Sequence, residues 1–226
     1  MNISLYYEEK GSGFPLILLH GNGEDHTYFK NQIEYFSKRF HVFAVDTRGH
    51  GKTPRGDGEF SIRRFAEDLH GFFLEHKIEK ADILGFSDGG NIALVYALKY
   101  PQTIRKLVLN GANLFPRGVK RRYQLPIEVG YFLADRFSKK SEEAKKNAEI
   151  LSLMVNDPFV DPEELSKLDV PTLVVVGKHD MINEKHTRLI EEKLLNSRLA
   201  ILGGDHFVAA KRPKEFNRVV GAFLEE

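Results

Sequence analysis

Ser87 has the clearest chemical setting in the chain. It stands in Gly85-Phe86-Ser87-Asp88-Gly89, a G-x-S-x-G segment that follows the apolar run Ala81–Phe86 and opens the helix-like run Asn91–Tyr100. Strand, sharp turn and helix is the setting in which this pattern forms a nucleophile elbow. Such a turn strains the serine backbone, so the positions two residues away must lack bulk. Gly85 and Gly89 meet that demand, and Gly90 lets the helix pack closely. Taken alone, the five residues also read as a glycine-rich turn with an incidental serine, because short motifs recur by chance. A serine hydroxyl is a weak nucleophile at neutral pH and needs a base, which in turn needs an orienting group. The candidate base is His206 in Gly203-Gly204-Asp205-His206-Phe207, and the candidate acid is Asp180 in Gly177-Lys178-His179-Asp180. Rival acids are Asp205, next to the histidine, and Asp157; the position after the strand ending at Asn110 offers Asn113 and no carboxylate nearby. Oxyanion donors would be the backbone N–H of Asp88 and that of Asn22 in His20-Gly21-Asn22-Gly23, with Gly23 as the alternative to Asn22.

These residues need a scaffold, and the pattern supplies one. Short apolar runs predict strands at Ile3–Glu8, Pro15–His20, His41–Asp46, Ala81–Phe86, Lys106–Asn110, Thr172–Val176 and Leu199–Leu202. Several are continuous Val/Ile/Leu runs, as in strands covered on both faces. Amphipathic helices alternate with them, notably Ser61–His76, one capped by Asn183 and running to Leu195, and Pro213–Leu224. The expected class is α/β with a mainly parallel sheet. Ser87, Asp180 and His206 then all fall just past the carboxyl ends of strands, the edge where open α/β sheets bind ligands. Between Asn113 and Leu168 the alternation stops. Tyr123–Phe137 and Ser141–Val155 read as helices, the first interrupted by Pro126 and Gly130, and Asp161-Pro162-Glu163-Glu164 carries helix-start signals. A crossover rarely needs so many residues, so this stretch is expected to be an inserted helical lid.

Composition narrows the function classes. The chain has 226 residues, 42% hydrophobic and 29% charged, with a formal net charge of +1. That balance gives no global field toward nucleic acid or a membrane, and neither partner is expected. The absence of cysteine excludes thiolate nucleophiles, disulfides and cysteine-bound metals. No H-E-x-x-H segment and no dinucleotide fingerprint after the first strand occur, so neither a metal nor another cofactor is expected. The polar start of the chain does not read as a signal peptide, and no apolar run approaches the ~20 residues of a membrane span. A cytoplasmic protein, monomer or homodimer, is the expectation. The basic run Arg117-Gly118-Val119-Lys120-Arg121-Arg122 reads first as a solvated face and second as a contact for an acidic group.

Five segments together resemble the α/β-hydrolase superfamily, in its order and at its spacing. They are His20-Gly21-Asn22-Gly23, Asp46-Thr47-Arg48-Gly49-His50-Gly51, Gly85-Phe86-Ser87-Asp88-Gly89-Gly90, Asp169-Val170-Pro171-Thr172-Leu173 running into Gly177-Lys178-His179-Asp180, and Gly204-Asp205-His206-Phe207. The resemblance implies one α/β-hydrolase domain over residues 1–226, with the lid at about 113–168. It implies about seven strands, since the family's usual first strand is missing or vestigial. It also implies the chain order serine, acid, histidine, which favours Asp180 as the acid. Asp46, Arg48 and His50 would hold their loop, and His20 would be a structural hydrogen-bonder. The implied reaction is acyl transfer by a Ser87–His206–Asp180 triad, most simply hydrolysis of a carboxylic ester on a small uncharged substrate. Amide, aminopeptide, C–C and lactone cleavage use the same triad, and receptor-like proteins with little turnover use the same fold. Asp88, where many esterases carry a larger uncharged side chain, would disfavour anionic substrates.

Overall fold

A computed structural model describes residues 3–226. Seven strands form one sheet: β1 (Tyr7–Lys10), β2 (Phe14–Leu19), β3 (Phe40–Val45), β4 (Ala81–Phe86), β5 (Ile104–Asn110), β6 (Thr172–Gly177) and β7 (Ser197–Leu202). Their spatial order is β1-β3-β2-β4-β5-β6-β7, with β1 antiparallel to β3 and every other pair parallel. The order reverses around β2, which lies between β3 and β4. Ligand crevices of doubly wound sheets form at such a reversal.

Alternation along the strands sends side chains into two cores. On one face Ile17, Leu19, Ile83, Leu107, Leu109 and Val174 pack under α2 (Ile62–Glu75) and α3 (Asp88–Lys99). On the other, Leu16, Leu18, Leu84, Val108 and Val175 pack under α1 (Lys30–Phe36) and the C-terminal helix (Pro213–Glu225). Helix α2 forms where the stripe Ile62, Phe65, Ala66, Leu69, Phe72 and Phe73 predicts it, and the Ser61 hydroxyl caps it by accepting from Arg64 N–H.

The first strand lies four residues later than the Ile3 start expected, at Tyr7–Lys10. It pairs with β3 over Tyr7–Val45 to Lys10–Val42, while Tyr6 is held by Thr53 and Asp46. The segment 26–36 was not expected to be helical; it forms a 3-10 turn (His26–Phe29) and α1. The stretch at Pro162–Lys167 is 3-10, with Asp161 accepting from Glu163 N–H. Asn183 precedes α6 (Glu184–Lys193) without a side-chain cap bond.

Between β5 and β6 lie α4 (Arg121–Phe137) and α5 (Glu142–Asn156). Helix α4 runs unbroken through Pro126 and Gly130. Helix α5 is capped by Ser141, which accepts from Ala144 N–H, and it has Glu142 and Glu143 in its first turn, where the helix dipole favours acids. Completing the helices, α7 (Val208–Lys211) follows β7 and α8 is the C-terminal helix.

Candidate active site

Ser87 sits at φ 53°, ψ −119° between β4 and α3, one of two non-glycine residues with positive φ among those described. The flanking glycines are obligatory. A Cβ on Gly85 would lie 2.2 Å from Gly89 O, and one on Gly89 would lie 2.1 Å from Leu19 O. Ser87 N–H is spent on Asn110 O at 2.8 Å. The next amide, Asp88 N–H, is the first of α3, where an amide has no partner within the helix.

Ser87 Oγ lies 3.0 Å from His206 Nε2, and His206 Nδ1 lies 2.7 Å from Asp180 Oδ1. His206 and Asp180 are both buried. Asp180 Oδ1 also accepts from Ile182 N–H at 2.9 Å, which fixes the carboxylate plane. Lys120 Nζ donates to the Asp180 carbonyl and Lys120 N–H to Met181 O at 2.8 Å, so the start of α4 is laced to the acid loop. Gly111, just past β5, is a site residue that sequence reasoning did not single out. At φ 65° it makes room for the imidazole, since a Cβ there would stand 2.7 Å from His206 Cε1. Its signal was position: a glycine at the same sheet edge as the serine.

The rival acids are engaged elsewhere. Asp205 is tied to Lys211 at 2.5 Å and accepts from Phe207 N–H. Asp157 faces the start of α2, and burial pushes its carboxyl up to about 6, with Asp88 adding to the shift. Asn113 exchanges hydrogen bonds with Asn91 at 2.8 and 3.1 Å.

Asn22 lies beside Asp88 through a side-chain contact that the sequence did not foresee. Its Nδ2 donates to Asp88 Oδ2 at 2.7 Å and to Ile150 O of α5 at 2.9 Å. Asn91 donates to the other Asp88 oxygen at 3.3 Å. Burial raises the pKa of Asp88, against the pull of Asn22, His206 and Asn91. A second acid in this loop is Glu24. Its Oε2 accepts from Gly21 N–H at 3.1 Å while Glu24 N–H donates to Gly21 O at 3.2 Å. Burial lifts Glu24 to about 7, partly offset by that amide and by His206.

His20 is structural. Its Nδ1–H donates to Gly21 O at 2.8 Å and its Nε2 accepts from Thr47 N–H at 3.0 Å. The loop after β3 is held as expected. Arg48 pairs Asp68 in a buried fork at 2.6 and 2.7 Å, His50 contacts Arg48 O, and the Asp46 carboxylate accepts from His26 N–H and Lys52 N–H. Asp25, His26 and Asp46 bring possible metal-ligand atoms within 4.8 Å of one another. Those atoms are engaged in local hydrogen bonds: His26 Nδ1 contacts Asp46 at 2.8 Å, and Asp25 holds Thr27.

A serine on a strained strand-to-helix turn, within hydrogen-bond reach of a histidine backed by a carboxylate, defines a site suited to hydrolytic group transfer. The α/β hydrolase fold family matches residues 15–141, more than half of the chain, and the chain belongs to that family. It is 32% identical over 251 residues to serine hydrolase BPHL of Mus musculus, covering 99% of this chain and 84% of that one. It is 27% identical to 2-hydroxy-6-oxo-6-(2'-aminophenyl)hexa-2,4-dienoic acid hydrolase of Metapseudomonas resinovorans, covering 96% and 86%. The fold matches the enol-lactonase of Burkholderia xenovorans LB400 with a TM-score of 0.83 at 22% identity, over 98% and 96% of the two chains. The protein is thus an α/β hydrolase enzyme. No helix among its described residues is long and apolar enough to cross a membrane.

Proposed function

We propose that the protein is a serine hydrolase that works through an acyl-enzyme, with carboxylic esters of small uncharged molecules as its substrates. The observation that carries this reading is the unbroken contact from Ser87 Oγ to His206 Nε2 and from His206 Nδ1 to Asp180 Oδ1 at the elbow. His206 takes the hydroxyl proton as Ser87 attacks the acyl carbon. Asp180 holds the imidazole with its proton on Nδ1 and stabilises the imidazolium. The backbone amides of Asp88 and Asn22 receive the oxyanion, each such donor contributing roughly 3 kcal/mol to transition-state stabilisation. His206 returns the proton to the departing alcohol, then activates the water that releases the acid and restores Ser87.

The α4–α5 insertion serves as the lid over this site, and the link from Asn22 to Ile150 O couples lid position to the oxyanion loop. Support for an uncharged substrate comes from the buried carboxyl of Asp88 and the half-buried carboxyls of Asp157 and Glu24. All three are shifted upward, Asp157 with Asp88 as one of its causes, and an anionic substrate would face the same environment. C–C and lactone hydrolysis remain the alternative chemistries of the triad; the relative from Metapseudomonas resinovorans is named for a hydroxy-oxo-dienoic acid and not for an ester. Amide or aminopeptide cleavage is a further alternative, and a ligand receptor with little turnover is the alternative of another class.

The test is turnover of a panel of short-chain nitrophenyl esters, matched amides, lactones and C–C substrates. Ester hydrolysis is expected to dominate, and Ser87→Ala to lower kcat/KM by roughly 10⁴-fold or more. Activity that survives Ser87→Ala would sink the mechanism. Tight ligand binding without product would favour the receptor.

A further inference from the structure

Helix α4 carries a feature that the proposed chemistry does not use. Of its 17 residues only Gln124 is buried. It packs chiefly on α5, toward which turn Gln124, whose Nε2 donates to Met154 O at 3.1 Å, and Gly130, which lies beside Leu151. The opposite side is apolar and open: Leu125, Val129, Phe132, Leu133 and Phe137 are 47, 51, 65, 51 and 48% exposed. At about 100° per residue Leu125, Val129, Phe132 and Leu133 share one stripe, and Phe137 falls at its edge toward Gly130. Isolated exposed apolar residues are ordinary, but a contiguous run of this kind marks an interaction surface.

Charge at both ends of the stripe decides what it fits. Arg122 falls on the same side one turn before Leu125, and Arg136 continues it past Leu133; Lys139 and Lys140, both exposed, follow in the turn after Phe137. Among the described residues, Arg122, Arg136, Lys139 and Lys140 make no ion pair; Arg122 lies over the Tyr123 ring at 4.8 Å. The acids of the helix, Glu128 and Asp135, lie to one flank, and Glu128 is spent on Arg121 at 2.5 Å. A second copy of the chain is a poor partner. Antiparallel pairing of the stripe would set Arg122 against Arg136 and Lys140, and parallel pairing would set each cation against its own equivalent. Between Arg122 and Arg136 the stripe offers no hydrogen-bonding side chain to fix the register of a folded partner. A fluid surface needs none.

We propose that this face of α4 docks on an anionic lipid surface, with Phe132 and its apolar neighbours entering the headgroup boundary and Arg122, Arg136, Lys139 and Lys140 meeting lipid phosphates. An amphipathic helix of this composition lies in the interface plane and does not span the bilayer. The net charge of +1 predicts no attraction for the molecule as a whole; the attraction is local to about 25 Å of helix and the turn that follows it. Of the basic run from Arg117 to Arg122, Arg122 then has a use that the reaction did not give it, while Lys120 and Arg121 are engaged by Asp180 and Glu128. The proposal is independent of the chemistry at Ser87, since it concerns binding alone.

The experiment is flotation of the full chain with vesicles of phosphatidylcholine, or of equimolar phosphatidylcholine and phosphatidylglycerol. Binding is expected only to the anionic vesicles. It should weaken in roughly 1 M salt, where charges are screened within ~3 Å. Phe132→Ser with Leu133→Ser, and separately Arg122→Glu with Arg136→Glu, should each lower partition by about tenfold or more. The chain has no tryptophan, so Val129→Trp supplies a background-free reporter whose emission should shift to the blue on anionic vesicles. Unaltered circular dichroism would show that these surface variants fold. The proposal is overturned by wild type staying off anionic vesicles, or by binding indifferent to both variant pairs. It is equally overturned by a concentration-dependent dimer that Phe132→Ser abolishes, or by retention on polyglutamate without retention on vesicles.

Discussion

Ser87 holds φ at 53°, a conformation that costs a non-glycine residue about 1–3 kcal/mol and persists only where its surroundings over-determine it. Here they do: Ser87 N–H is fixed by Asn110 O, the flanking glycines allow backbone contact, and the hydroxyl meets His206. Asp88, one residue on, is buried with two amide donors, and burial raises the pKa of its carboxyl. A charge there acts on whatever Ser87 holds. At effective dielectric constants near 20, one carboxylate about 10 Å from the charge of an anionic substrate costs on the order of 1–2 kcal/mol. Asp88→Asn keeps the shape and one acceptor oxygen, enough for the shorter bond from Asn22, while the longer bond from Asn91 loses its acceptor. It should therefore narrow the preference for neutral over matched anionic esters by roughly tenfold. An unchanged ratio of kcat/KM values would remove Asp88 from substrate selection.

Among the elements, β4 was legible to the residue because Ala81–Phe86, apolar except for Asp82, is ended by the glycine elbow. Helix α3 begins at Asp88, three residues before the apolar run suggested, since the elbow starts the helix at once and Gly89 and Gly90 hid that start behind poor helix propensity. Segment 26–36 was invisible for another reason. It is two short pieces whose buried members include His26 and Gln32, and Gln32 Nε2 donates to Asn217 Oδ1 and Ala209 O, 177 or more residues away. The elbow, His206 and Asp180 were readable because each ends a strand. The side-chain link between Asn22 and Asp88 was not, because it joins residues 66 apart through rotamers that no local pattern encodes. Gly111 was missed likewise, its role being the space it leaves at His206. Gly111→Ala places a methyl 2.7 Å from the imidazole in a left-handed backbone. The expected result is a loss of stability of about 1–3 kcal/mol and a loss of ester turnover well beyond the unfolded fraction, measured by denaturant titration beside kcat. Full activity in Gly111→Ala would mean that His206 has freedom this packing denies it.

For the whole molecule, buried titratable groups set how stability follows pH. Burial, aided by His50, drives His20 down to about 4, where the unfolded chain would sit near 6.5. As pH falls below 6.5 the unfolded chain takes up the proton first, so stability is lost between about 6.5 and 4, amounting to about 2 kcal/mol at pH 5 from this residue. His186, also lowered to about 4 by burial, has the same sign. Glu24 and Asp157, raised to about 7 and 6, have the opposite one: the folded state keeps their protons longer and gains as pH falls through those values. The contributions partly cancel in the wild type, so the informative quantity is a difference. His20→Asn should lose about 2 kcal/mol less than wild type between pH 7 and pH 5 in urea unfolding. Parallel pH profiles for the two proteins would show that His20 is not held neutral by the fold.

The central claim is that Ser87 is an activated nucleophile, and covalent labelling by a fluorophosphonate tests it most directly. Mass spectrometry of the intact folded protein should show one adduct, mapped to Ser87, absent from Ser87→Ala and strongly slowed in His206→Ala. A folded wild-type protein whose Ser87 stays unlabelled would contradict the account.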